Sequence, residues 1–136
     1  MSMIRGIHHI NFLVRDLDSA IDRYRSFLQC GQVIREDLPQ RGVLTARFKI
    51  GETWIVLVQP LDSGKLPGRY LEEHGEGFFL ISYKVDDLVA VSENARKAGV
   101  EVLDRTPRQG LADWRVMDLS ADDLFAVNTQ LVESAD

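Results

Sequence analysis

The feature that most constrains this chain is an internal repeat. IHHINFLVRDL, Ile7 to Leu17, returns as FFLISYKVDDL, Phe78 to Leu88, about 70 residues further on. Superposed, Ile10 meets Ile81, Phe12 meets Tyr83, Val14 meets Val85, Asp16 meets Asp87 and Leu17 meets Leu88. The alternation of apolar with other residues marks each copy as a half-buried strand. The polar residues that follow start a helix. A chain built this way folds as two copies of one module, and matching positions face the same side of their sheets. The matching inward pair is His9 and Leu80, an imidazole against an aliphatic side chain.

Taken in order, the first strand presents His8, Ile10, Phe12 and Val14 on one face, and Ile7, His9, Asn11 and Leu13 on the other. The first set packs on a helix, which leaves His9 and Asn11 on an open or ligand-lined side. Asp16 and Asp18 are candidate N-caps for the helix LDSAIDRYRSFLQC, which Gly31 stops. QVIRED reads as a strand, LPQRGV as a turn, VLTARFKI as a strand, GET as a turn and TWIVLVQP as a strand ended by Pro60. The connector SGKLPGRYLEEHGEG holds a short helical piece around Arg69 to Glu73. The second module then reads as the strand FFLISYKV, the helix DDLVAVSENARKAG, the strand VEVLD, the loop RTPRQGLAD, the strand WRVMDL and a last strand LFAVNTQLV. In that last strand Ala126 is matched to Val56, and the tail ESAD is expected to fray.

These elements predict an α+β fold of tandem β-α-β-β-β modules, forming a partly open, concave, eight-stranded barrel-like sheet with helices outside. Residues 1–136 form a single domain, with module one at about 5–60, the connector at 61–77 and module two at about 78–132. A chain 45% hydrophobic and 27% charged is ordinary for a soluble protein. Its net charge of −5 supplies no basic field for nucleic acid, and its single cysteine, Cys30, excludes an intrachain disulfide. No apolar run approaches the roughly 20 residues that span a bilayer. The N-terminal MSMIRG leads directly into the first strand without a signal peptide, so a cytoplasmic enzyme or binding protein is expected.

HHI followed by an Asp-Leu pair, the LPQRGV turn, GETWIVLVQPL, YLEEHGEG, VDDL and RKAGV, in this order, give the chain a resemblance. It resembles the vicinal oxygen chelate superfamily of glyoxalases, bleomycin-resistance proteins and dioxygenases, nearest to the methylmalonyl-CoA epimerase-like members. The resemblance covers about Ile7 to Val132. It implies a divalent metal at four positions, one on the first and one on the last strand of each module. Those positions fall on His9, Val56, Leu80 and Ala126, and only His9 carries a lone pair for a metal. A carboxylate that the epimerases often carry after the turn falls on Thr45. His8 and Gln59 lie one register step away, on the face toward helices or solvent, whereas Asn128 shares the face of Ala126.

The concave face is therefore expected to hold Asn11, Thr45, Arg47, Lys49, Trp54, Val56, Leu80, Ser82, Lys84, Ala126 and Asn128, with His9 as the catalytic candidate. An apolar floor ringed by a few polar groups is the usual form of a small-molecule site. The expected function is small-molecule binding on a degenerate metal site, with no cofactor, the ligand being apolar, acyl or anionic. The alternative is an isomerase or lyase of the epimerase or glyoxalase type, acting through His9 without metal or through a rearranged metal site. The partners expected are that ligand and a second copy in a homodimer, with no nucleic acid and no membrane.

Overall fold

The period-two pattern of the first repeat copy gives strand β1, Ile4–Leu13, and Asp16 then turns the chain into helix α1, Leu17–Leu28. Three strands follow, β2 (Ile34–Leu38), β3 (Val43–Ile50) and β4 (Thr53–Pro60), and then helix α2 (Leu66–His74) in the connector. The second copy gives β5 (Gly77–Val85), α3 (Leu88–Lys97), β6 (Arg108–Gln109), β7 (Arg115–Leu119) and β8 (Thr129–Glu133). The order is β-α-β-β-β twice, an α+β architecture. This computed structural model describes residues 4–135, which form two compact units, residues 9–79 and residues 4–8 with 80–135. No helix among the described residues is long and apolar enough to cross a membrane.

In the unit of residues 9–79 the strands lie in the order β2-β3-β4-β1. β4 runs parallel to β1, with His9 opposite Trp54 and Asn11 opposite Val56, and antiparallel to β3. Helix α1 covers one face, where Leu17 and Ile21 pack on Ala46, Phe48 and Leu57. In the other unit the order is β5-β8-β7-β6, with Ile81 opposite Thr129 and Ser82 opposite Gln130 on the parallel pair. There Leu88 of α3 packs with Val85, Met117, Leu119 and Leu131. Each sheet thus buries the apolar half of its alternation under one helix.

Both helices are tied to their sheets in the same way. Asp16 caps α1 by accepting from the Ser19 N–H at 3.0 Å, while Gln59 Oε1 of β4 accepts from the Leu17 N–H at 2.8 Å. Asp87 accepts from the Ala90 N–H at 3.1 Å, and Glu133 Oε2 of β8 accepts from the Leu88 N–H at 2.9 Å. Two of the four N–H groups that a helix start leaves unpaired are satisfied in each case. Gln59 therefore points at a helix.

Three expectations need correction. The strand expected over VEVLD is absent, and only an isolated bridge joins Val102 to Leu119. The two-residue β6 lies instead in the segment read as a loop, because the Asp104 carboxylate accepts from the Asp118 N–H and so ends that pairing with a side chain. The last strand begins at Thr129 rather than at Leu124. Phe125 and Ala126 take left-handed backbone angles, φ 58° and 68°, which no strand accommodates. The tail is held through Ala135, since Ser134 Oγ lies 3.0 Å from His8 Nε2 and the Ala135 N–H donates to Asp113. Asp136 lies outside the described residues.

Gln59→Leu and Glu133→Leu each leave a helix N–H without its acceptor, and each is expected to lower stability by about 1–2 kcal/mol. Since the two sites share no partner, the double variant should show the sum within about 0.5 kcal/mol in urea unfolding.

Candidate functional site

On each sheet the face turned away from the helix carries the polar and chemically active residues. In the unit of residues 9–79 the pairing arranges them in rows across β1, β4 and β3. One row is His9, Trp54 and Lys49, the next is Asn11, Val56 and Arg47, and the third is Leu13, Val58 and Thr45. His9, Thr45, Arg47 and Val56 are buried, and Lys49 is exposed. Arg47 donates through Nη1 to Glu36 Oε1 of β2 at 2.7 Å, and its guanidinium carbon sits 5.5 Å from the Trp54 ring centre. Lys49 Nζ lies 5.4 Å from the same ring, so two cations share one indole. The Thr45 hydroxyl donates to the Glu36 carbonyl. Asn11 Oδ1 is buried and has no hydrogen-bond partner among the described residues.

The other unit repeats the grid with different chemistry. Ser82, Gln130 and Asp118 form one row across β5, β8 and β7, and Val132 and Val116 lie in the next. Ser82 Oγ donates to Gln130 Oε1 at 3.0 Å, and Gln130 Nε2 donates to Asp118 Oδ1 at 2.9 Å. Arg108 Nη2 donates to Asp118 Oδ2 at 2.9 Å, and its Nη1 bonds the Asp104 carboxylate. The result is one continuous chain, from fully buried Ser82 to partly exposed Asp104.

This register corrects the placement of Ala126. The sequence repeat sets Asn11 against Ser82; Asn11 faces Val56, and Ser82 faces Gln130. Val56 is therefore matched by Gln130, four residues beyond Ala126, and the helix-binding Gln59 and Glu133 fall three residues after each. Ala126 stands outside β8 in a left-handed turn. Asn128 also precedes β8, with its carbonyl accepting from the Ile81 N–H at 3.0 Å. The signal was present in the sequence, since VLVQ and QLVE share a central Leu-Val and each carries a side-chain acceptor, Gln59 or Glu133, at the fourth place.

Carried through, the register equates Arg47 with Asp118 and Glu36 with Arg108. Each unit thus holds an ion pair at the same two places, with its sign reversed. Glu36, Asp104, Arg108, Asp118 and Gln130 were not singled out from the sequence, because charged and amide side chains read as solvated until their partners on neighbouring segments are known. His8, expected to face a helix or solvent, is buried, with its ring 4.6 Å from that of Trp114 in an edge-on contact.

The divalent metal that the resemblance implies does not fit the residues at these positions. Val56 and Leu80 offer no lone pair, and both ends of the Gln130 amide are held, by Ser82 and Asp118. Among the described residues no group of three or more His, Cys, Asp or Glu side chains is placed to hold a metal ion.

Residues 8–117 match the family model of the glyoxalase/bleomycin resistance protein/dioxygenase superfamily. The chain is 31% identical over 102 residues to the ethylmalonyl-CoA/methylmalonyl-CoA epimerase of Cereibacter sphaeroides, covering 74% of this chain and 76% of that protein. It superposes with a TM-score of 0.93 and 30% identity on a methylmalonyl-CoA epimerase in complex with methylmalonyl-CoA and ammonium, covering 98% of this chain and 96% of that one. A Streptomyces coelicolor methylmalonyl-CoA epimerase variant in complex with 2-nitronate-propionyl-CoA gives the same TM-score and identity, over 98% of this chain and 100% of that one.

If the Ser82–Gln130–Asp118–Arg108 chain is one connected network, Gln130→Leu removes at once the acceptor of the Ser82 hydroxyl and a donor to Asp118. A loss of about 1–2 kcal/mol is expected in chemical unfolding, and Arg108→Met should be non-additive with it.

Proposed function

Because the chain belongs to the glyoxalase/bleomycin resistance protein/dioxygenase superfamily, we propose that it binds a short acyl group carried as a coenzyme A thioester, without a resident divalent metal. The reading is supported by the substrates that the relatives' names carry, ethylmalonyl-CoA and methylmalonyl-CoA. The observation that carries the metal-independent part is the chemistry of the rows themselves. Val56 gives an apolar floor between Asn11 and Arg47, which suits an alkyl group and cannot ligate a cation. In the other unit, Leu80 is equally unable to ligate, and Gln130 is already bonded at both ends.

Ligand binding then rests on ordinary small-molecule chemistry, an apolar contact surface with a few fixed polar groups to orient it. Asn11, Arg47 and Trp54 are the orienting groups of this proposal.

The test uses protein purified without chelator. Elemental analysis is expected to find far less than one Ni, Co, Mn, Fe or Zn per chain. Calorimetric titration with methylmalonyl-CoA in excess EDTA is expected to show binding with a Kd on the order of 10–100 μM. About one metal per chain, or binding that appears only after cobalt or nickel is added, would overturn the proposal.

A further inference from the structure

Resting on that reading, we propose that Arg47 is the specificity-determining residue of the site, taking the free carboxylate of the acyl group. Asn11 and Arg47 are the two neighbours of Val56 in one row, on β1 and β3. Two strand spacings separate them by about 10 Å, wide enough for a small branched acyl group lying over Val56. Asn11 Oδ1 is buried with no hydrogen-bond partner among the described residues, so the row contains a polar atom that this chain leaves unmet. A buried amide oxygen of that kind accepts and does not donate, so the group that completes it is a donor and the carboxylate falls to Arg47.

Arg47 supplies the charge. Its residue exposure is 7%, and it is held by Glu36 on one side and the Trp54 ring on the other. Glu36 engages Nη1, and a guanidinium carries five donors in a fixed fork that matches a carboxylate. Lys49, on the other row beside Trp54, keeps the local charge positive after Glu36 has offset Arg47. The matching position in the other unit is Asp118, a carboxylate that would repel the same group. Carboxylate recognition is thereby assigned to the unit of residues 9–79, with a fixed organic cation providing charge compensation.

The experiment compares three probes by calorimetry in EDTA: methylmalonyl-CoA, propionyl-CoA, which lacks the free carboxylate, and free coenzyme A. The parent protein is expected to bind methylmalonyl-CoA at least about tenfold more tightly than propionyl-CoA, the worth of one charge-assisted hydrogen bond. Arg47→Met should abolish that preference, its loss of methylmalonyl-CoA affinity being at least about tenfold larger than any loss of propionyl-CoA affinity. Arg47→Lys, which keeps the charge without the fork, should retain part of the preference and serves if the Met variant does not fold. Equal binding of the two thioesters by the parent overturns the assignment of Arg47 and leaves the proposed function standing. An equal loss for both thioesters in either variant overturns it too, since Arg47 would then contact the coenzyme. If neither thioester binds the parent, it is the proposed function that fails.

Discussion

The fold of each unit depends on one side-chain contact between the last strand and the start of the helix. Gln59 in one unit and Glu133 in the other accept from the first helical N–H, while an aspartate caps the same turn. A helix start has N–H groups to satisfy, and a strand end has a side chain to place. Joining them fixes where the helix axis begins on the sheet and which strand residues it covers. It also fixes the register, because a slip of one residue in β4 or β8 would turn Gln59 or Glu133 to the opposite face.

On that face the two units share geometry and differ in chemistry. The pair Glu36–Arg47 at 2.7 Å is repeated as Arg108–Asp118 at 2.9 Å with the charges exchanged. An exchange of this kind costs little in pairing energy, because either polarity satisfies the same two places. Partly buried pairs contribute modestly to stability in any case. The surroundings make the difference. Arg47 lies beside Trp54 and a second cation, Lys49, whereas Asp118 is joined to Gln130 and shares Arg108 with a second carboxylate, Asp104. One face is biased toward anions and the other is closed on itself by hydrogen bonds.

In the proposed reading an acidic acyl group needs positive charge beside it, although Val56 and Leu80 offer a metal no lone pair. A divalent ion and a guanidinium meet that need differently. The ion needs several oxygen or nitrogen ligands around one point, and the guanidinium needs a neighbouring carboxylate or ring to hold its plane. Arg47 has both Glu36 and Trp54.

How much of this could be read from the chain alone depends on the range of the interaction. The two helices, the Asp16 cap of the first, and the separation of Phe12 from Asn11 on opposite faces were legible, because they depend on residues one to four places apart. The final strand was not, because LFAVNTQLV is apolar enough to pair from its first residue. Only the left-handed turn at Phe125 and Ala126 delays it to Thr129. That delay moves the match of Val56 from Ala126 to Gln130. Nor was the reversed ion pair legible, since Glu36 and Arg108 reach Arg47 and Asp118 across neighbouring strands, 11 and 10 residues away in sequence. The sequence by itself determined which residue types the chain holds and which face of each strand is apolar. Only the tertiary structure decided which polar residues meet, because strand register is a long-range choice that local alternation leaves open.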